Sequence, residues 1–358
     1  MSKKEIDRLR RQIDLLDRKI LSTLNDRAKV ALKIGRLKAS RQEELYTPSR
    51  EKILIDRLKK RNKGPFPSHA LQTVYREIIS ASRSLNAPMK VAYLGPEATF
   101  THMAAIKHFG RSCEMIPVVS IPRVFEEVEN NRAHCGVVGI ENSTEGVVGA
   151  TLDRFLDSPL KIIAEVTLPI THNFLSHSGT LRGIRKIYSH PQAFGQCRSW
   201  LEDHFPSTPL VETESTSQAA ARAAEEPNAG AIASEEAALI YRLKIVQRHI
   251  EDNPNNMTRF LILGRKSPGR TGHDKTSILF SVKDEVGILF RMLKPFYQAG
   301  INLTKIESRP LKKKVWEYIF FLDMDGHLEE KRIATAIREL SRHCLFVKVL
   351  GSYPKATS

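Results

Sequence analysis

Apolar residues recur along the first forty positions at three- and four-residue steps: Ile6, Leu9, Ile13, Leu16, Ile20 and Leu24. That spacing is one face of an α-helix. The stripe continues through Arg27, Ala31, Ile34 and Lys38, with Gly35 its only break. A helix of about 35 residues is about 50 Å long at 1.5 Å per residue. A compact body of about 90 residues is only about 35 Å across. The chain cannot cover such a helix by itself, so the pattern predicts a dimer with helices crossing between subunits. Thr47-Pro48 reads as an N-cap and first helical position, opening a second helix to Asn62. Ser68 is expected to cap a third, running to Leu85.

After Asn86-Ala87-Pro88 the pattern changes. A strand at Val91–Leu94 opens a stretch in which short apolar runs (VVS, GVVGI, KIIAEVTLPI, KIYS, AGAIAS, RFLILG) alternate with helical ones (IPRVFEEVENN, CRSWLEDHF, TSQAAARAAEE, EEAALIYRL). This predicts an α/β body. Ligands of such sheets sit at the carboxyl ends of strands, and the polar stretch IENSTEG, residues 140–146, follows one. GRKSPGRTGHDK, 264–275, is a linker. Beyond it the order is strand (Ser277–Val282), helix (Gly287–Gln298), strand (Ile301–Glu307), strand (Trp316–Asp323), helix (Leu328–Leu340) and strand (Leu345–Leu350). That βαββαβ order predicts a ferredoxin-like module. The expected domains are 1–87, 90–265 and 276–354, with no internal repeat.

A length of 358 residues suits such a multidomain chain, and 41% hydrophobic residues suffice for the cores. MSKKEIDRLR lacks the apolar run of a signal peptide, and no stretch approaches the roughly 20 apolar residues of a membrane span. Cys113, Cys135, Cys197 and Cys344 are scattered, which suits reduced thiols in a cytoplasmic protein better than disulfides or zinc. The net charge of +16 is uneven. Residues 1–90 hold 23 Lys and Arg against 10 Asp and Glu; the remainder holds 33 against 30. Such a segment binds either nucleic acid or a small polyanion. It has no short recognition helix after a tight turn, and Arg27 and Lys38 face the seam, where a phosphate backbone could not reach. The small polyanion is the better expectation, and no nucleic-acid partner is expected.

Arg27 and Lys38 lie about three turns apart on the apolar stripe, where an unpaired cation costs stability. Either they snorkel to the rim or pair locally, or they line a dry anion pocket. Arg10 on the same helix and Arg50-Glu51 on the next would add to that pocket. In IENSTEG, the side chains of Asn142, Ser143 and Thr144 either cap the helix GVVGATLDRFL or receive an anion; a capped N-terminus is itself an anion site, so the two readings overlap. Glu141 and Glu145 read as solvated loop carboxylates.

Seven stretches, in order, carry a family resemblance. LRRQIDLLDRKILSTLNDRAKVALKIGRLK…TPSRE resembles the helical chorismate mutase domain. GPEATFT, IENSTEG, YSHPQAFGQC, ESTSQAA and NNMTRF resemble prephenate dehydratase, and IESRP resembles the phenylalanine-binding ACT module. Together they cover nearly the whole chain, in the order of the bifunctional chorismate mutase/prephenate dehydratase family. The resemblance implies an all-α mutase domain, a two-lobed, periplasmic-binding-protein-like α/β dehydratase domain and an α+β ferredoxin-like ACT domain. It implies chorismate and prephenate as substrates, L-phenylalanine as allosteric ligand, a homo-oligomer, and no cofactor or metal.

By the same resemblance, Arg27 and a partner subunit's copy of Arg10 would grip chorismate's carboxylates, and Arg50 would support them. Lys38 would donate to a carboxylate and the ether oxygen, and Glu51 would accept from the ring hydroxyl. Ser82 is a further contact. Asn86 stands where the family has Gln or Glu facing the ether oxygen, and Thr47 where it has an acid. Thr258 matches the family's catalytic threonine. Arg259 could bind a carboxylate, although neighbours in a strand face opposite ways. His190, Gln192, Ser215, Thr216, Thr99 and Phe100 are secondary candidates. Glu307, Ser308, Arg309 and Pro310, with Gly287, Ile288 and Leu289, would form the phenylalanine site between ACT modules. Ile288 there replaces the family's Ala. The alternative is a dehydratase whose helical segment only dimerises, an idea that Asn86 supports.

Overall fold

The computed structural model describes residues 3–41, 46–283, 285–310 and 318–356. It divides into two compact units, residues 1–89 with 109–114, and the rest.

The first unit is helical: α1 (Lys3–Ser40), α2 (Pro48–Arg61) and α3 (Ser68–Ser84). Thr47 is the N-cap of α2 by backbone position, but its side chain makes no cap bond. The cap of α3 is Pro67, not Ser68, which lies one residue inside the helix. α3 packs against both other helices. Most of α1 is uncovered within the chain: Ile6, Leu9, Ile13, Leu16 and Ile20 are all exposed, and Gly35 is its one buried residue among those described.

In the second unit the chain builds one lobe, crosses to another and returns. The first lobe takes β1 (Lys90–Leu94), α4 (Phe100–Phe109), β2 (Glu114–Val118), α5 (Ile121–Glu129), β3 (Cys135–Asn142), β4 (Gly146–Val147), α6 (Gly149–Asp157) and β5 (Lys161–Pro169). The second takes β6 (Asn173–Ser176), β7 (Lys186–Ser189), α7 (Pro191–Gln196), α8 (Arg198–His204), β8 (Leu210–Glu212), α9 (Thr216–Glu225), β9 (Ala229–Ala233), α10 (Glu235–Ile240) and β10 (Lys244–Gln247). The return strand β11 (Met257–Gly264) inserts between β3 and β5, antiparallel to both, in the order β2-β1-β3-β11-β5. The second sheet runs β10-β6-β9-β7-β8. Of the strands not foreseen, β6, β8 and β10 have only three or four residues, too few to show a period.

The remaining elements are β12 (Asp274–Val282), α11 (Ile288–Gln298), β13 (Leu303–Pro310), β14 (Tyr318–Asp325), α12 (Lys331–Ser341) and β15 (Cys344–Pro354). The predicted strand at Trp316 therefore has its first two residues outside the described ones. The sheet order β13-β14-β12-β15 is wholly antiparallel, as a βαββαβ module requires. Alternation gives this sheet two apolar faces. Ile278, Phe280 and Val282 pack under α11 and α12. Leu279, Phe321, Leu350 and Tyr353 join the core of the first lobe with Ile162 and Leu261. The approach is closest at Gly351, where a Cβ would stand 2.1 Å from the Ile162 carbonyl oxygen. No helix among the described residues is long and apolar enough to cross a membrane.

Candidate active sites

In the helical unit a cavity of about 390 Å³ is lined by Arg27, Lys38, Thr47, Arg50, Glu51, Ser82, Arg83 and Asn86. Seven of these were singled out from the sequence; Arg83 was not. The seam spacing of Arg27 and Lys38 aims both into one space, and α2 and α3 close it. Arg27 Nη1 donates to Ser82 Oγ at 2.6 Å. Lys38 Nζ donates to Thr47 Oγ1 at 3.2 Å. Glu51 accepts from Arg83 Nη1 at 2.9 Å. Burial raises the Glu51 pKa above its ordinary value, against the lowering fields of Arg83, Arg27 and Lys38. Asn86 packs on Gly35, whose missing side chain leaves it room: a Cβ there would come within 2.3 Å of the Asn86 carboxamide. Arg10 lies outside this lining, 74% exposed and 3.6 Å from Asp7.

The second site lies where β3 meets β11, with Asn142 opposite Thr258. Asn142 Nδ2 donates to Thr258 Oγ1 at 2.7 Å and to Asn256 Oδ1 at 2.8 Å. Its Oδ1 accepts from the backbone N–H groups of Thr144 and Glu145 at 2.9 and 3.0 Å. IENSTEG is thus a hairpin turn between β3 and β4, and not the cap of α6, whose N-cap is Val148. Ser143 Oγ accepts from Met257 N at 2.9 Å, and Thr144 is exposed. Because Asn142 is the donor, the Thr258 oxygen accepts in this bond and its own proton is not used in it. Accepting one bond makes that O–H a better donor.

Other polar groups join the two lobes. Gln196 Nε2 donates to Glu145 Oε1 at 3.3 Å, and Gln196 Oε1 meets His172 Nε2 at 2.8 Å. Burial lowers the His172 pKa, and the Gln196 bond and the Glu251 charge only partly offset it. Phe100 meets the His172 ring edge-on at 5.8 Å. His172, Gln196 and Asn256 were not singled out from the sequence, although Gln196 and Asn256 lie inside quoted motifs. The remaining secondary candidates serve local structure. His190 caps α7 by accepting from Gln192 N, and the Gln192 side chain is exposed. Ser215 caps α9, whose first residue Thr216 is buried. Thr99 donates to the Leu94 and Pro96 carbonyls and accepts from His102 N.

Arg259 requires a correction. Pairing puts it opposite Glu141 and Thr167, on the other face of β11 from Thr258. Its Nε donates to Glu165 Oε2 at 2.7 Å, Nη1 to Asp323 Oδ2 at 2.6 Å and Nη2 to Tyr353 at 3.0 Å. Burial opposes its charge, but Tyr353, Asp323 and Glu165 together hold its pKa above the ordinary value. This arginine is spent on joining β11 to the ferredoxin-like sheet.

That sheet splits its own motif. Ser308 and Ile306 face a largely apolar pocket of about 500 Å³ with Ile288, Leu289, Tyr318 and Phe320. Lys305 and Arg309, on the opposite face of β13, reach the first lobe. Lys305 Nζ stands 2.8 Å from Glu141 Oε1, and Arg309 Nη1 3.2 Å from Asp153 Oδ1. Glu307 and Pro310 line that second face with Arg309. Gly287 is the N-cap of α11, with a left-handed φ of 74°.

A cationic cavity in a helical unit, a threonine–asparagine centre in a two-lobed α/β body and a ferredoxin-like module with an apolar pocket define a multidomain enzyme with an appended ligand-binding domain. Family models agree in order: chorismate mutase type II over residues 9–87, prephenate dehydratase over 91–268 and the ACT domain over 276–342. The chain is 51% identical over 356 residues to the bifunctional chorismate mutase/prephenate dehydratase of Aquifex aeolicus, covering 98% of each chain. It is 42% identical to that of Pseudomonas aeruginosa over 358 residues, with the same coverage. The prephenate dehydratase of Arthrobacter aurescens, solved in complex with L-Phe, superposes with a TM-score of 0.69 at 35% identity, over 74% of this chain and 90% of that one. The chain belongs to the bifunctional chorismate mutase/prephenate dehydratase family. It carries a chorismate mutase and a prephenate dehydratase, with an ACT domain.

Proposed function

We propose that residues 1–87 rearrange chorismate to prephenate, residues 90–265 convert prephenate to phenylpyruvate, and residues 276–354 bind L-phenylalanine and slow the pathway. The observation that carries this reading is the gathering of Arg27, Lys38, Arg50 and Glu51 around one cavity. Chorismate is a dicarboxylate and its rearrangement is pericyclic, so no nucleophile is needed. The site has to hold the compact conformer and stabilise charge developing on the ether oxygen. Arg27 and Arg50 bind carboxylates through their forked donors. Lys38 serves a carboxylate and the ether oxygen, with Asn86 as second donor to that oxygen. Glu51 accepts from the ring hydroxyl; Ser82 orients Arg27, and Thr47 orients Lys38.

The exposed stripe of α1 and the position of Arg10 support a dimer in which each Arg10 completes the partner's cavity. Sedimentation of the chain as a monomer at working concentration would remove that part of the proposal.

In the dehydratase step the ring hydroxyl leaves as water, the ring carboxylate leaves as CO2, and the ring becomes aromatic. Thr258, polarised by Asn142, holds or protonates the leaving oxygen. Ser143 and Thr144 offer donors to the anionic substrate, and Thr99, His190 and Gln192 shape the site from the strand ends. Phenylalanine occupies the pocket of Ile288, Leu289 and Ser308 at an interface between ACT modules, with Gly287 opening its helix. Glu307, Arg309 and Pro310 act from the strand's other face. Inhibition is then linkage: the ligand favours a less active state by no more than its differential affinity. No cofactor enters either reaction, and the setting is cytoplasmic.

A single time course tests the reading. The chain is given chorismate alone, with and without phenylalanine, while chorismate, prephenate and phenylpyruvate are followed. Phenylpyruvate formed from chorismate, and slowed by phenylalanine, is expected. Persistence of chorismate while added prephenate is consumed would reduce the helical unit to a dimerising arm.

A further inference from the structure

Arg83 is the one lining cation of the helical cavity that the roles above leave unused. Its surroundings fix it on three sides. Nη1 donates to Glu51 Oε1 at 2.9 Å, and Nη2 donates to the Phe109 carbonyl at 3.0 Å. The guanidinium lies over the Tyr46 ring, 5.1 Å from its centroid, and that ring in turn packs on Phe109 at 5.3 Å. Its side chain is only 11% exposed, and its Nε has no hydrogen-bond partner among the described residues. A guanidinium held by a carbonyl and an aromatic face cannot swing toward a substrate carboxylate without losing both contacts.

We propose that Arg83 is a positioning residue of the mutase site, holding Glu51 in place and ionised while substrate occupies the other cations. The inference rests on the reading of this cavity as the mutase site. Among the described residues, the charged and titratable groups facing Glu51 are Arg27 and Lys38 from α1, Arg83 from α3 and Cys113 from the 109–114 segment, and Arg50 of α2 lines the same cavity. A bound dicarboxylate takes up Arg27 and Lys38 and brings two negative charges beside Glu51. Burial already favours the protonated acid there, and a protonated Glu51 loses acceptor capacity for a ring hydroxyl. Arg83 is the one of these cations with a direct bond to Glu51, so it keeps the acid charged when the others are occupied. Its fork also fixes which carboxylate oxygen is left for the substrate.

The test uses the full chain. Arg83→Met removes the charge and keeps the stem, and Arg83→Lys keeps the charge but cannot hold Glu51 and the Phe109 carbonyl together. The readouts are the pH profile of kcat for chorismate, which reports groups in the substrate complex, and, as a fold control, turnover of added prephenate. Losing an opposite charge at hydrogen-bond range raises a carboxylate pKa by about 1–3 units. The acid limb of Arg83→Met is therefore expected to move up by about one pH unit or more, which is about a tenfold loss on the acid side of the limb, recovered on the alkaline side. Arg83→Lys should fall between, and Arg83→Met should move no limb in a Glu51→Gln background. If Arg83→Met fails the fold control, the limb shift of Arg83→Lys carries the same test. An active wild type with an unshifted limb in the variants overturns the inference alone. A wild type that leaves chorismate untouched overturns the reading of the cavity, and the inference falls with it.

Discussion

Arg259→Met separates two roles for one residue. It belongs to a cluster of four charged side chains: Arg259 and Lys275 against Glu165 and Asp323, with Lys275 Nζ 2.9 Å from Glu165 Oε2. All are nearly buried, Asp323 completely. Formal charge in the cluster sums to zero, and Ser277 hydrogen-bonds both Asp323 and Tyr353. Removing Arg259 leaves one buried negative charge in excess, on an aspartate that loses its guanidinium. Breaking such a pair costs about 3–5 kcal/mol, most of it the uncompensated charge. At roughly 2–4 °C per kcal/mol for a body of this size, Tm at pH 7 should fall by roughly 6 °C or more. Asp323→Asn restores neutrality in the variant background, so the double mutant should recover part of the loss. The two effects should be non-additive by about 0.5–3 kcal/mol.

The pH dependence follows from Glu165. Burial pushes its pKa up, but Arg259 and Lys275 overcome this, and the folded value lies below the ordinary 4.5. A depressed carboxylate stabilises the fold above its unfolded pKa and loses that contribution as pH falls through the folded one. Without Arg259, burial is opposed mainly by Lys275. The folded pKa rises, and the variant gains relative to wild type as pH falls. The gap in Tm should therefore narrow from pH 7 toward pH 4.5. Calorimetry across that range is one assay, and prephenate turnover well below Tm is the other. If Arg259 gripped a substrate carboxylate, truncation would cost about 2–5 kcal/mol of binding. The ion cluster predicts less than about a tenfold change in kcat/KM. A rise in KM of about a hundredfold with an unchanged Tm would refute this argument.

Three further outcomes are expected. Lys305→Met should weaken phenylalanine inhibition by about fivefold or more while basal prephenate turnover persists, because the pair with Glu141 is removed; unchanged inhibition would uncouple β13 from the dehydratase site. Gly35→Ala should leave stability nearly unchanged, since Ala gains about 1 kcal/mol of helix propensity, yet push Asn86 out of the cavity; mutase kcat/KM should drop while dehydratase activity stays, and equal loss of both would contradict the placement of Asn86. Thr258→Val should make prephenate accumulate from chorismate, with dehydratase kcat down by about a hundredfold or more; Thr258→Ser should retain most of the rate.

What the sequence made legible depended on period and length. Six apolar residues at helical spacing identified α1, and the length of that helix announced a surface its own chain would leave bare. The cationic interruptions of the stripe, Arg27 and Lys38, marked the cavity because a charge at a seam position needs a reason. Arg83 was illegible on the same logic. It sits one residue past Ser82, near a helix end where Arg is common, and its partner Phe109 lies 26 residues on, at the end of α4. Strands β6, β8 and β10 were lost for want of length. Thr99 and Ser215 each cap a helix, and the sequence alone does not separate that role from a site role because capping and ligand binding use the same donors and acceptors.

Alternation along a strand says that neighbours part, but not where each one goes. On β3 and β11 the cross-strand partners Asn142 and Thr258 share one face, and Glu141 and Arg259 share the other. The first pair carries the proposed chemistry. The second is bound to the ferredoxin-like sheet, Glu141 through Lys305 and Arg259 through Asp323. β13 is divided in the same way, with Ser308 on the apolar pocket and Lys305 and Arg309 on the first lobe. Two two-faced strand sets therefore stand back to back, and a ligand that shifts β13 acts on Glu141, one peptide bond from Asn142. Side chains this closely packed have few intermediate positions, so the physical requirement is two arrangements of β13 with different affinity for the ligand. A salt bridge between them transmits the difference but cannot create it, which is why Lys305→Met should alter the response to phenylalanine and leave the basal rate.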